Sequence, residues 1–88
     1  LGRVLASIKI FPKEITVNLA ELRQKIEKNL PANTSIHRFN EEPIAFGLVA
    51  LVAHVLMGDE EGKMNEVEAN IKSIDDVSEI QIVSVSLV

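Results

Sequence analysis

The chain has 88 residues, 47% hydrophobic and 25% charged, with a formal charge of −4 and a pI of about 5.1. That suffices for one domain, residues 1–88, with a single small core and a modest stability margin. It contains no cysteine, which excludes disulfides and thiolate metal sites, and only three aromatics, Phe11, Phe39 and Phe46, which with the acidic balance disfavours nucleic-acid binding.

Leu1-Gly2-Arg3-Val4 lacks a signal-peptide layout, and no apolar run approaches the ~18–20 residues of a membrane span. Leu1 is not an initiator, so a residue or two is expected ahead of it. A cytoplasmic location is the expectation.

Residues 3–11 alternate apolar and polar, with Val4, Ala6, Ile8 and Ile10 on one side, and predict a strand. Pro12 stops it. Leu19, Leu22, Ile26 and Leu30 recur at spacings of three and four and predict a helix over 19–30. Asn18 is a good N-cap, with Glu21 three residues on; Glu21 and Lys25 form an i,i+4 pair, and Pro31 closes the helix.

Residues 34–41 read as a second strand, polar enough for a sheet edge, interrupted by Glu41-Glu42-Pro43. Residues 46–57 are nearly continuously apolar, as in a central strand. Gly58-Asp-Glu-Glu-Gly62 is an acidic turn. Met64, Val67, Ile71 and Ile74 make the buried stripe of a helix over 63–74, ended by Asp75-Asp76. The last strand, 78–87, changes phase between Ile80/Ile82 and Val83/Val85/Leu87, as a β-bulge near Val83 or packing on both faces would allow.

The order βαββαβ predicts an α+β, ferredoxin-like split βαβ fold. Its four-stranded antiparallel sheet carries both helices on one face, with the first and third strands central. Leu51, Ala53, Val55 and Met57 would face the helices; Ala50, Val52, His54 and Leu56 would face away.

No catalytic constellation is present. His37 and His54 stand on different strands without a carboxylate at ligand spacing, and read as strand histidines on a half-exposed face. The serines lie in no nucleophile elbow, and the glycines are dispersed rather than gathered into a phosphate cradle. The acids of 58–62 would repel phosphate and lack EF-hand spacing, so a solvated turn is the reading. Acylphosphatase-like chemistry requires an arginine beside an anion loop after the first strand, and Phe11-Pro-Lys-Glu-Ile-Thr-Val17 has none. The chain therefore reads as a non-enzyme that needs no cofactor and no metal.

One segment departs from a plain connection. In Glu41-Glu-Pro-Ile-Ala-Phe-Gly-Leu48, Ile44 and Phe46 sit beside turn residues at a hairpin end. Phe46 is either an exposed anchor for a partner or a ring folded back over the core.

Residues 42–51, Glu-Pro-Ile-Ala-Phe-Gly-Leu-Val-Ala-Leu, then an apolar strand and Gly58-Asp-Glu-Glu-Gly62, resemble the archaeal elongation factor 1-beta family. The resemblance runs nearly the whole chain, from Val4 through the Leu19–Leu30 helix to Val77-Ser78. Pro43-Ile-Ala-Phe-Gly47 also resembles the Pro-hydrophobic-Gly-aromatic-Gly segment of the eukaryotic factor's catalytic domain. The resemblance implies guanine-nucleotide exchange on elongation factor 1-alpha, with Phe46 packing on that GTPase and Pro43, Ile44 and Gly47 shaping the tip. A monomer without direct nucleic-acid or membrane contact is expected.

The chain departs from the eukaryotic pattern in two places. Val49 and Ala50 stand where that domain has lysines. The last lysine here is Lys72, so no C-terminal lysine reaches toward the GTPase's Mg²⁺. Either another residue supplies that charge, or the chain continues past Val88, or exchange proceeds by moving the GTPase switch and phosphate loop. The competing readings are a ligand-sensing or oligomerising module pairing through Ala50, Val52, His54 and Leu56, and an RNA-binding domain, which lacks the aromatics it would need.

Overall fold

A computed structural model describes residues 2–88. Its elements are β1 (Arg3–Pro12), α1 (Leu19–Asn29), β2 (Thr34–Pro43), a 3₁₀ turn (Ala45–Gly47), β3 (Val49–Gly58), α2 (Lys63–Lys72) and β4 (Val77–Leu87). The strands form one antiparallel sheet in the order β2-β3-β1-β4. This is the expected ferredoxin-like layout, with β1 and β3 central and β2 at an edge.

Strand periodicity decides what is buried. Ala6, Ile8 and Ile10 of β1, and Leu51, Ala53, Val55 and Met57 of β3, are almost wholly buried, together with Leu22 and Ile26 of α1 and Val67 and Ile71 of α2. These residues make one core between the sheet and the helices. On β3 the intervening Val52, His54 and Leu56 are only half-buried, as alternation requires on the side without helices. Ala50 is fully buried on that side. It stands in register with Glu42, whose carboxylate pairs with Lys9 of β1 across the width of β3.

Capping follows the sequence closely. Asn18 has extended dihedrals (φ −76°, ψ 113°), and its side-chain oxygen accepts the Glu21 N–H at 3.1 Å, satisfying one orphan donor of α1. Leu30 turns extended before Pro31, as the residue preceding a proline must. Lys25 differs from expectation. Its ammonium bonds Asp76, beyond α2, at 2.7 Å, so the pair joins two elements instead of decorating one helix. That hydrogen bond and charge raise the Lys25 pKa.

Several boundaries move. β2 runs through Glu41-Glu42 to Pro43, because a proline at the end of an edge strand breaks no ladder bond. β3 begins at Val49, leaving Phe46 in the turn rather than in the strand. α2 stops at Lys72, where the Ser73 hydroxyl takes the Asn70 carbonyl, yet Ile74 stays buried. The phase change in β4 is a bulge: Ile82 pairs with Ile8 and Ser84 with Ser7, so Val83 is the extra residue. The bulge returns Val85 and Leu87, opposite Ala6 and Val4, to the helix-bearing face. The two side chains are nevertheless 53% and 72% exposed. A second bulge leaves His37 unpaired between Ile36 and Arg38.

Candidate functional site

The sequence singled out the β2–β3 hairpin, and the structure shows how it is built. Ile44 N–H donates to the Leu48 carbonyl at 2.8 Å, and Leu48 N–H donates to the Ala45 carbonyl at 3.2 Å. The loop is thereby closed on itself. To fit, Phe46 takes φ +60°, ψ +32°, and Gly47 takes φ +80°. Glycine adopts such a backbone freely; for a phenylalanine the left-handed region costs on the order of 1–2 kcal/mol.

That backbone lifts the ring off the protein. Phe46 is 96% exposed, so it does not fold back over the core. Pro43 and Gly47 are exposed and Ile44 is half-buried. The four residues expected to act together are thus held on one short hairpin, with the ring at its apex. A strained, water-facing aromatic contributes almost nothing to the core, and such outliers persist where the strain serves function.

The loop between β1 and α1 lies at the same end of the sheet. It is tied down by Lys13 N–H to the Asp76 carbonyl at 2.9 Å and closed by Val17 N–H to the Glu14 carbonyl at 3.3 Å. The Thr16 hydroxyl donates to the Glu14 carboxylate at 3.0 Å. Ile15, at the outer turn, is 66% exposed. A Cβ placed on Gly47 would sit 3.9 Å from Ile15 Cγ2, so the two loops lie side by side. Sequence reasoning missed Ile15. Its one signal is a branched aliphatic among Lys13, Glu14 and Thr16, where a connection needs only polar residues.

The acids at the end of β2 are already paired. Lys9 pairs with Glu42, and Arg23 with Glu41 at 2.8 Å. Lys9 also lies over the Phe11 ring and Arg23 over the Phe39 ring, at 5.4 and 5.6 Å from the centroids. The end of the molecule around Phe46 is apolar at its apex and electrically balanced below.

The other polar feature is a row across the open sheet face. Asn40 Nδ2 lies 2.9 Å from His54 Nε2, and Ser7 Oγ lies 2.8 Å from His54 Nδ1. With the amide donating at Nε2, the ring proton sits on Nδ1 and is given to Ser7, so the imidazole does not activate the serine as a base. Burial first, then the charges of Arg38 and His37, lower the His54 pKa. The row interrupts the apolar face through which two copies would pair. Among the described residues no group of three or more His, Asp or Glu side chains could hold a metal ion. Nor, among them, is any helix long and apolar enough to cross a membrane.

A family model, the EF-1 guanine nucleotide exchange domain, matches residues 5–88. The chain belongs to that family. This exchange-domain chain is 41% identical over 85 residues to "Elongation factor 1-beta" of Methanothermobacter thermautotrophicus, covering 97% of this chain and 96% of that protein. It is 34% identical to the protein of that name in Thermoplasma acidophilum, over the full length of both. The Haloarcula marismortui protein is 39% identical across 96% of each chain. Among solved structures, the C-terminal domain of the MgtC protein from Mycobacterium tuberculosis matches with a TM-score of 0.65 over 94% of this chain and 86% of that one. At 14% identity the likeness is one of fold alone.

Proposed function

We propose that this chain promotes exchange of GDP for GTP on elongation factor 1-alpha, with the Phe46 tip as its docking point. Family membership supports nucleotide exchange in translation elongation. The observation that supports the docking point is a phenylalanine ring 96% exposed on a left-handed backbone. Hydrophobic rings held in water at a local conformational cost are what interface anchors look like before the partner arrives.

The mechanism is linkage. A GTPase grips GDP through its phosphate loop and Mg²⁺. A factor that binds the nucleotide-free form more tightly than the GDP form weakens GDP binding by the same ratio. GDP leaves, GTP enters, and the factor is displaced. No covalent bond changes in this chain, so in this reading it works as a binding protein. Pro43, Ile44 and Gly47 hold the ring in place.

Release of labelled GDP from elongation factor 1-alpha, with and without the chain, is the direct test. The chain should accelerate release, and Phe46→Ala should slow the accelerated rate about tenfold or more, from the loss of about 1.5–3 kcal/mol of ring burial. A Phe46→Ala domain that stays folded and exchanges at the full rate removes Phe46 as the docking point.

A further inference from the structure

Phe46 is not alone at its end of the sheet. Ile15 projects from a different loop, lies beside the hairpin at Gly47, and is 66% exposed. Single exposed aliphatics need no explanation. This one lies beside the hairpin that carries a fully exposed ring; the hairpin is closed on itself by backbone hydrogen bonds, and the β1–α1 loop is tied by one to Asp76. Between them lies a small depression of about 80 Å³, lined by Pro12, Ile15, Val17, Leu19, Gly47 and Val49, with the Glu14 carboxylate at its edge. Two apolar side chains on two anchored loops therefore present a single preorganised surface, which saves the ordering cost that flexible loops incur on binding.

Charge narrows what can sit there. Glu41 and Glu42 are internally paired with Arg23 and Lys9, and Glu14 accepts from its own Thr16. Lys13 and Glu14, beside Ile15, carry opposite charges and sum to zero, so among the described residues the tip has no excess of one sign, and the exposed ring and aliphatic set its complement as an apolar depression.

We propose that Ile15 is a second anchor in the same interface as Phe46, entering an apolar depression of the GTPase beside the ring. This rests on the exchange reading above. It adds that recognition is two-point, drawn from the β1–α1 loop as well as the hairpin.

The test is the affinity of nucleotide-free elongation factor 1-alpha for the wild-type chain, Ile15→Ser, Ile15→Val, Phe46→Ala and the double variant, with GDP release measured in parallel. Ile15→Ser should weaken binding about tenfold and Ile15→Val about threefold, the graded loss expected of buried methyl groups. Both should melt within a few degrees of wild type, because the side chain is mostly in water. Binding should change little between ~50 and ~300 mM salt, since the contact is uncharged. If Ile15→Ser binds as wild type while Phe46→Ala is weakened, the second anchor is overturned and the exchange reading stands. If neither variant weakens binding, both anchors fall; if the wild-type chain leaves GDP release unaccelerated, the exchange reading itself falls.

Discussion

Replacing Phe46 by glycine should leave the domain as stable as wild type, or more so, while removing its action on the GTPase. At φ +60° the phenylalanine backbone costs on the order of 1–2 kcal/mol, which glycine relieves. Against this, glycine adds roughly 0.4–1 kcal/mol of unfolded-state entropy. The ring, 96% exposed, contributes almost no burial to be lost. The net change is therefore between about 0 and +1.6 kcal/mol. Alanine removes the ring but keeps the left-handed strain, so Phe46→Gly should exceed Phe46→Ala by about 1 kcal/mol, or ~4–8 °C in Tm for a domain of this size. Thermal unfolding by circular dichroism and GDP release on the same preparations make the comparison. If both variants melt well below wild type, the ring supports the fold and the docking argument fails; a glycine variant that melts below the alanine variant refutes the strain at φ +60°.

The remaining predictions concern the scaffold. Ile26→Ala opens a cavity at a fully buried position of the core between α1 and the sheet, and should cost about 2–5 kcal/mol in urea unfolding. That is large enough to leave a domain of this size partly unfolded, and a loss under ~1 kcal/mol would contradict the core as described. His54 gives a pH dependence. Its folded-state pKa lies below the ordinary value, chiefly through burial, so the unfolded chain takes up the proton first. Stability is full above about pH 6.5 and declines as pH falls below it toward the folded-state value. His54→Gln should remove that component, and an unchanged Tm profile between pH 7 and 5 in the variant would show that the decline has another origin.

Much of the fold could be read from periodicity, because the two central strands and both helices owe their burial to regular spacing. Ile8 and Ile10, or Leu22 and Ile26, are buried for the reason their positions repeat. What periodicity could not supply were the places where geometry departs from regularity. The Phe46 backbone was hidden because no sequence rule anticipates a bulky ring in the left-handed region; glycine is the residue such a site ordinarily takes, and Gly47 next to it masked the signal. Ile15 was hidden because its importance is relational: it lies beside a hairpin more than thirty residues along the chain. The Lys25–Asp76 pair was missed for the same reason, since the local Glu21 partner was visible and the distant one was not.

Site and scaffold are separable here, and that separation is what makes the exchange reading testable. The ring at the hairpin apex and Ile15 beside it are exposed, while the buried residues lie between the sheet and the helices. The Ile44–Leu48 and Leu48–Ala45 hydrogen bonds close the loop below the ring without calling on its side chain. Truncating Phe46 or Ile15 therefore removes the proposed contact surface without removing structure. The strain at Phe46 is small against the roughly 5–15 kcal/mol that stabilises a typical fold. A domain with such a margin tolerates about 1–2 kcal/mol at one loop, and a role for Phe46 in docking would account for the strain being kept there.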